Sequence, residues 1–262
     1  LMSGVESLLA APIVRAGDVI GLFQLEAPAL PFTENDLKSA LAIGNILGAV
    51  IDGAESRNRA RDAEREKAML GRYLSRDVVE RVLHTEGALK LGGDSRDVTV
   101  FFSDIRGYTS LSERLKPEEL VEVLNHFFGR MVRKIFEYNG MIDKFIGDAV
   151  MAVFGAPNPA LDDARRACKM AVAVREEVVE LAGDLKRKTG IAVDMGYGLA
   201  SGKVVSGNIG WEQRMEYTSI GDAVNLSSRL VGLAGPGEIF LDEETIKRAG
   251  ALETRSRGEM DA

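Results

Sequence analysis

The stretch that decides the fold reads Val98-Thr99-Val100-Phe101-Phe102-Ser103-Asp104, an apolar run that ends in a carboxylate. Its β-branched and aromatic residues predict a buried strand, and Gly107 just beyond it predicts a turn. A second apolar stretch, residues 142–154, is broken at Gly147-Asp148, which predicts a β-hairpin with Asp148 at its tip. The sequence therefore places two aspartates, Asp104 and Asp148, where strands run out into turns.

Two aspartates in such positions indicate a cation site. Carboxylates are preferred ligands of Mg²⁺, and two of them on neighbouring strands, together with phosphate oxygens of a substrate, can hold two ions about 3.5–4 Å apart. That geometry serves in-line displacement at phosphorus. The alternative interpretation is that both are turn aspartates, selected for their hydrogen bonds to the backbone.

A third segment, residues 216–230, predicts a strand end, a helix start with Asp222 as N-cap, and a helix. Asn225 and Arg229 lie four positions apart, so they share one face of that helix. An amide and a guanidinium can thus converge on one anionic group, which suits a phosphoryl transition state.

Hydrophobic periodicity predicts alternating strands and helices beyond residue 97. The predicted elements are a strand at 98–103, helices at 117–138, a hairpin at 141–154, a helix at 160–183, a hairpin at 191–209 and a helix at 222–233. The order βαββαβ is ferredoxin-like, and the predicted class is α+β.

Taken together and in this order, three blocks resemble the class III adenylyl and guanylyl cyclases over about residues 91 to 262. The blocks are Phe102-Ser103-Asp104-Ile105-Arg106-Gly107-Tyr108-Thr109, Asp143-Lys144-Phe145-Ile146-Gly147-Asp148 and Tyr217-Thr218-Ser219-Ile220-Gly221-Asp222-Ala223-Val224-Asn225-Leu226-Ser227-Ser228-Arg229. The resemblance implies the same ferredoxin-like catalytic fold. It also implies a head-to-tail homodimer with active sites at the interface.

The resemblance implies that Asp104 and Asp148 bind two Mg²⁺ or Mn²⁺ ions, assisted by the carbonyl of Ile105. One ion would lower the pKa of the ribose 3′-hydroxyl and the other would neutralise the triphosphate, so that the hydroxyl oxygen attacks the α-phosphorus and expels pyrophosphate. The backbone N–H groups of one short segment would cradle the phosphates. That segment comprises Ile105, Arg106, Gly107, Tyr108 and Thr109.

In the resembled family, the positions of Lys144 and Thr218 read the purine. The lysine donates to adenine N1, and an Asp or Thr accepts from the 6-amino group, whereas guanylyl cyclases typically place Glu and Cys there. Because a lysine has no acceptor for the N1–H and N2–H₂ groups of guanine, Lys144 with Thr218 predicts ATP as the substrate.

The resemblance gives catalytic roles to the helix residues, since Asn225 would orient the ribose and Arg229 would stabilise charge on the α-phosphate. The chain departs from the family at Gly196, where many members carry an arginine that binds the triphosphate. A further phosphate-binding lysine is expected shortly after residue 262.

Residues 1–52 predict a strand, a strand and a helix capped by Thr33. They resemble the C-terminal half of a GAF domain, a sensory module, which implies an unknown small-molecule or protein signal. Residues 53–90 predict a signalling helix, either a parallel coiled-coil linker or a helix in solvent, because opposite charges recur at helical spacing. The cyclase domain is expected at residues 91–262.

The composition excludes several classes of protein. A hydrophobic content of 45% with 28% charged residues is ordinary for soluble domains, and a net charge of −7 without a basic cluster argues against nucleic-acid binding. The single cysteine, Cys168, predicts a buried thiol and a reducing, cytoplasmic setting. The longest apolar candidate, residues 40–51, is shorter than the roughly 18 to 20 residues of a membrane span, so none is expected within this chain.

With the resemblance, these observations predict an adenylate cyclase that converts ATP to 3′,5′-cyclic AMP and pyrophosphate in a homodimer controlled by its N-terminal module. A guanylate cyclase remains an alternative, which Lys144 opposes. A catalytically inactive, cyclase-like dimerisation module is another, which the intact set of site residues opposes.

Overall fold

The computed structural model describes residues 7–27, 31–71, 75–85 and 87–258 of the 262-residue chain. The chain divides into two compact units, Leu1–Arg72 and Tyr73–Ala262, which we call the N-terminal and C-terminal units. Each is described by itself.

The N-terminal unit consists of an antiparallel hairpin followed by one long helix. Strands β1 (Ser7–Arg15) and β2 (Asp18–Ala27) pair along their length, and helix α1 runs over Glu34–Leu70. Thr33 caps the helix as predicted, because its hydroxyl accepts from the N–H of Asp36 (3.3 Å) while the Asp36 carboxylate accepts from the N–H of Thr33 (2.7 Å). Of the segment predicted as a linker helix, residues 53–70 continue α1 without a break, whereas Arg76–His84 form a separate helix.

The core of this unit is small, and large apolar side chains remain exposed. The buried residues Leu9, Ala11 and Ala40 form its centre. The exposed apolar side chains include Leu8, Val19, Leu22, Ile46 and Val50. The apolar faces of this segment therefore exceed what its described residues cover.

Helix α1 also contains an 18-residue window, within Glu34–Met69, that could cross a membrane by length and composition alone. No span was expected from the sequence, because the longest apolar candidate, residues 40–51, is too short and contains Asn45. Only 17% of the window is buried. Length and composition do not by themselves distinguish a membrane span from the helix of a soluble domain.

The C-terminal unit is built around one sheet with helices on both faces. In chain order its elements are α2 (Arg76–His84), β3 (Gly92–Arg106), α3 (Tyr108–Arg114), α4 (Pro117–Glu137), β4 (Met141–Ile146), β5 (Ala149–Phe154), α5 (Asp163–Thr189), β6 (Asp194–Trp211), β7 (Arg214–Ile220), α6 (Asp222–Leu233), β8 (Ile239–Leu241) and α7 (Glu243–Ala249).

The strand order β4-β5-β3-β6-β7, with β8 parallel to β6, places β3 at the centre of the sheet. The first four of these strands are antiparallel and connected as β3-α-β4-β5-α-β6. This is the ferredoxin-like order, so the predicted α+β fold class is confirmed.

Three details of the prediction were wrong. Residues 191–209 do not form a hairpin: β6 continues to Trp211 and turns there into β7, and the glycines within β6 gave the false appearance of a turn. Helices α3 and α7, of seven residues each, and the three-residue strand β8 were not predicted because they are too short for a periodic pattern. The N-cap of α6 is Gly221, and Asp222 is its first helical residue.

Side chains of β3 alternate between two cores. Phe101 and Ile105 join the large core beneath α4 and α5, whereas Val100 and Phe102 face the core shared with α2 and α6. This alternation places Asp104 on the same face of the sheet as α6.

Helix α6 lies unusually close to the sheet. The hydroxyl of Ser227, which is fully buried, lies 3.1 Å from the carbonyl oxygen of Val100 and 3.0 Å from that of Gly198. A Cβ added at Gly198 would lie 2.4 Å from the backbone nitrogen of Val231 and 2.5 Å from the Ser227 carbonyl oxygen. Only glycine at position 198 allows this approach, which fixes the helix that carries Asn225 and Arg229.

The close approach predicts a specific loss of stability. Gly198→Ala should destabilise the C-terminal unit by about 1–3 kcal/mol, because the new methyl group forces α6 away from β6. The matched control is Gly129→Ala at an exposed position of α4, where a Cβ meets nothing within 4 Å, and it should stabilise by about 0.5–1 kcal/mol. Urea unfolding followed by circular dichroism measures both, and equal midpoints for Gly198→Ala and wild type would contradict the packing described.

Candidate active site

Asp104 and Asp148 come together at one end of the central strand. Asp104 is near the end of β3, and Asp148 follows Gly147 in the two-residue turn between β4 and β5. The φ of +61° at Gly147 suits the tight turn. The backbone N–H of Ile105 donates to Asp148 Oδ2 at 3.1 Å, and this hydrogen bond holds the hairpin tip beside Asp104.

The two carboxylates strain each other electrostatically. Burial raises the pKa of Asp104, the neighbouring charge of Asp148 raises it further, and the guanidinium of Arg106 only partly offsets both. Arg106 donates from Nη2 to the Asp104 carboxylate and reaches the carbonyl of Gly232 at 3.5 Å. A divalent cation bound between the carboxylates would relieve this repulsion.

Arg106 also occupies the space beside Gly196. Asp104 pairs with Gly196 across β3 and β6, and a Cβ added at Gly196 would lie 3.2 Å from the Arg106 Cζ and 2.9 Å from the Ala234 carbonyl oxygen. A larger side chain at position 196 would therefore displace Arg106. The Arg106 guanidinium therefore lies next to Gly196, the position at which the resemblance implies an arginine.

The predicted phosphate-binding segment turns from β3 into α3. Gly107 has a φ of +71° and is the N-cap of α3, and a Cβ there would meet open space, so backbone conformation rather than packing selects glycine. Ile105 is buried, Tyr108 packs against the large core, and Thr109 is exposed. The segment lies next to Asp104 in the chain, as the prediction requires.

Thr218 and Lys144 meet through a residue that the sequence analysis did not single out, Asp143. The Thr218 hydroxyl donates to Asp143 Oδ1 and Oδ2 at 2.9 and 3.0 Å, and the N–H of Ser219 donates to Oδ2 at 3.1 Å. The Lys144 ammonium lies 3.7 Å from Asp143 Oδ1, and the Asp143 side chain is 0% exposed. Burial raises the pKa of Asp143, although Thr218, Lys144 and the Ser219 N–H act in the opposite direction.

A second acidic residue that the analysis missed, Glu216, contacts Lys144. The Lys144 ammonium donates to Glu216 Oε2 at 2.6 Å. Burial lowers the pKa of Lys144, but the hydrogen bond that Lys144 donates to Glu216 and the charges of Asp143 and Glu216 outweigh it, so the net change is upward. The ammonium is thus held charged at the edge of the sheet.

Asn225 and Arg229 are exposed on α6, one turn apart, as predicted. Within the described residues, no hydrogen bond joins the Asp104 and Asp148 cluster to Lys144 or Thr218. The predicted site residues therefore form three groups on one unit: the carboxylate pair with its adjoining segment, the Lys144 and Thr218 pair, and the face of α6.

The carboxylate pair fits a hard divalent cation. Among the described residues there is no group of three or more histidine, cysteine, aspartate or glutamate side chains that could hold a metal. Two carboxylates suffice for Mg²⁺, however, because this ion commonly takes one or two protein carboxylates and completes its coordination with water and substrate phosphates. A bound cation would offset the negative charge of Asp148 that raises the pKa of Asp104.

A cavity of about 1000 Å³ lies elsewhere, between α5, β8, α7 and residues 252–258. Cys168 lines it, and burial raises the pKa of this thiol to about 11, which agrees with the predicted buried, unreactive cysteine. None of the predicted site residues lines this cavity. We therefore locate the candidate site by its carboxylates rather than by cavity size.

A family model described as the adenylate and guanylate cyclase catalytic domain matches residues 93–262. An uncharacterized protein of Mycobacterium tuberculosis (strain ATCC 25618 / H37Rv) is 34% identical over 227 residues, which cover 84% of this chain and 40% of that protein. A second relative, an uncharacterized protein of Mycobacterium bovis, is 35% identical over 213 residues, or 80% of this chain and 36% of the relative. The chain thus spans less than half the length of these curated relatives.

Solved structures of both cyclase types are similar to this chain. The guanylyl cyclase Cya2 shares 38% identity with a TM-score of 0.59, covering 65% of this chain and 90% of Cya2. The adenylyl cyclase CyaB from P. aeruginosa shares 41% identity with a TM-score of 0.57, covering 60% of this chain and 82% of CyaB. A bacterial light-regulated adenylyl cyclase shares 26% identity with a TM-score of 0.63, covering 78% of this chain and 58% of that cyclase. The chain belongs to the class III adenylyl and guanylyl cyclases, whose catalytic domain it carries at residues 93–262.

Proposed function

We propose that the C-terminal unit is an adenylate cyclase, which converts ATP to 3′,5′-cyclic AMP and pyrophosphate. The observation that carries the proposal is the convergence of Asp104 and Asp148 beside β3, on a unit that also holds Lys144 and Thr218 together. Similarity to both adenylyl and guanylyl cyclases does not decide whether the substrate carries adenine or guanine, so the choice of ATP rests on the residues of this chain.

Asp104 and Asp148 would hold two Mg²⁺ or Mn²⁺ ions, assisted by the Ile105 carbonyl. When bound, such ions lower the pKa of a coordinated hydroxyl and neutralise charge on phosphate oxygens. The segment Ile105 to Thr109 would bind the phosphates through its backbone N–H groups, and the guanidinium of Arg106 adds a positive charge beside Gly196. Asn225 would orient the ribose, and Arg229 would stabilise charge on the α-phosphate.

The adenine preference is supported by donors and acceptors. Lys144 offers only hydrogen-bond donors, which match adenine N1 and oppose the N1–H of guanine. Thr218, only 8% exposed, would accept from the 6-amino group. Exclusion of a mismatched base follows because a polar group left unpaired in a closed pocket is costly.

One observation favours the guanylate alternative. Glu216, 2.6 Å from the Lys144 ammonium, places a carboxylate next to the predicted base site, and a carboxylate can accept from guanine N1–H and N2–H₂. Glu216 is already engaged by Lys144, which lowers its pKa through a hydrogen bond and a charge interaction. Turnover must therefore be measured with both nucleotides.

We further propose that two copies of the chain build each active site. Asn225 and Arg229 lie on an exposed face of α6, which a second copy of the chain could contact. Residues 1–52, as part of a GAF-like module, and the helix of residues 53–90 would transmit an unknown small-molecule or protein signal in a cytoplasmic setting. The small core and exposed apolar residues of the N-terminal unit support a role for this unit in contacts with other protein segments.

Direct measurement of products tests the proposed reaction. With Mn²⁺, the purified chain should form cyclic AMP from ATP much faster than cyclic GMP from GTP, as separated by chromatography.

Asp104→Asn and Asp148→Asn should each lower turnover at least about 100-fold, because each removes a ligand charge without removing core volume. The matched control, Asp94→Asn, changes an exposed carboxylate at the far end of the same strand and should leave turnover near wild type. Substantial residual activity in either site variant would remove the basis for the carboxylate assignment.

Mixing two inactive variants tests the shared site. Asp104→Asn and Arg229→Ala chains should each be inactive alone, whereas their mixture should regain part of the wild-type activity. In the mixed dimer one of the two sites combines an intact carboxylate pair with an intact Asn225 and Arg229 face. If subunit exchange is verified and no activity returns, a site contained within one chain is the better explanation.

A further inference from the structure

We propose that Asp143 is a specificity-determining positioning residue, which fixes the hydroxyl of Thr218 as a hydrogen-bond acceptor and thereby selects a 6-aminopurine. This inference rests on the proposed function, since it concerns how the same site would recognise ATP. It adds a residue that does not itself touch the base.

The location of Asp143 is the first support. Strand β4 changes register against β5 at this residue: Ile142 pairs with Ala152 and Lys144 pairs with Met151, so Asp143 has no partner on β5. Such a bulge changes the direction in which a side chain points from the strand. Here it directs the carboxylate to Thr218 and Ser219 on β7, although β4 and β7 are at opposite ends of the strand order.

The donors around the carboxylate are the second support. Asp143 is fully buried and faces the Ser219 N–H at 3.1 Å and the Lys144 ammonium at 3.7 Å, both of which can only donate. An ionised carboxylate only accepts, so the remaining short contacts, at 2.9 and 3.0 Å, require the hydrogen of the Thr218 hydroxyl.

The consequence for the base follows from counting hydrogens. A threonine hydroxyl has one hydrogen and two lone pairs, and Thr218 already donates its hydrogen to Asp143. Toward a ligand Thr218 can then only accept. It matches the 6-amino group of adenine and opposes the 6-oxo group of guanine or hypoxanthine, which is itself an acceptor.

A pair of substrates isolates this interaction. ATP and purine riboside triphosphate differ only in the 6-amino group, so their ratio of kcat/KM reports the contact at Thr218 and leaves phosphate, ribose and N1 recognition in common. Wild type should prefer ATP by about tenfold or more, because an acceptor without its donor is left unpaired in a closed site.

The informative variant is Asp143→Asn, which keeps the side-chain shape. Its amide oxygen can still accept from Ser219 while its NH₂ group donates to Thr218, which turns the Thr218 hydrogen toward the base. The preference for ATP over purine riboside triphosphate should fall about tenfold. Thr218→Val should lose the same preference, Thr218→Ser should keep it, and the double variant Asp143→Asn with Thr218→Val should lose no more than either alone.

The outcomes separate this inference from the proposed function. If wild type turns over ATP but Asp143→Asn lowers kcat/KM equally for both substrates, Asp143 is only structural and the inference is wrong. If Asp143→Asn does not fold, wild type and the Thr218 variants decide, because an unchanged ratio in Thr218→Val overturns the inference. If wild type does not turn over ATP, the proposed function fails and the inference fails with it.

Discussion

The antiparallel pairing of β3 with β6 is the constraint on which the rest of the C-terminal unit depends. The two strands form a ribbon in continuous register from Gly92 opposite Asn208 to Arg106 opposite Asp194. The hairpin β4-β5 attaches to one side of this ribbon, β7 attaches to the other, and α6 lies directly on it through Gly198. Each group of predicted site residues is carried by an element whose position the ribbon sets.

The same ribbon explains how the two carboxylates come together. Alternation along β3 brings Asp104 to the α6 face and Ile105 to the opposite core, and the N–H of Ile105 then fastens Asp148 beside Asp104. Two carboxylates in a partly buried place repel each other, and Arg106 compensates only in part. A carboxyl with a raised pKa beside a second carboxylate is a common feature of functional sites.

Much of this organisation could be predicted from the sequence. The apolar run before Asp104 and the Gly147-Asp148 turn are local signals, and local signals place a strand end and a hairpin tip correctly. The predicted order of strands and helices indicated the fold class, and the similarity of three ordered blocks to a known family implied the same fold. By contrast, β6 was predicted as a hairpin because its glycines, which serve close packing of α6 and Arg106, look like turn residues in sequence. The roles of Asp143 and Glu216 depend on strands far apart in sequence, and the only local sign was a pair of successive charged residues within an otherwise apolar strand.

The claim that Asp104 and Asp148 together bind two divalent cations is open to direct measurement. Electron paramagnetic resonance can count bound Mn²⁺ in the presence of 3′-deoxy-ATP, a nucleotide that lacks the attacking hydroxyl. The account predicts two Mn²⁺ ions per bound nucleotide in wild type, and the loss of at least one in Asp104→Asn and in Asp148→Asn. Equal stoichiometry and affinity for Mn²⁺ in wild type and both variants would contradict it.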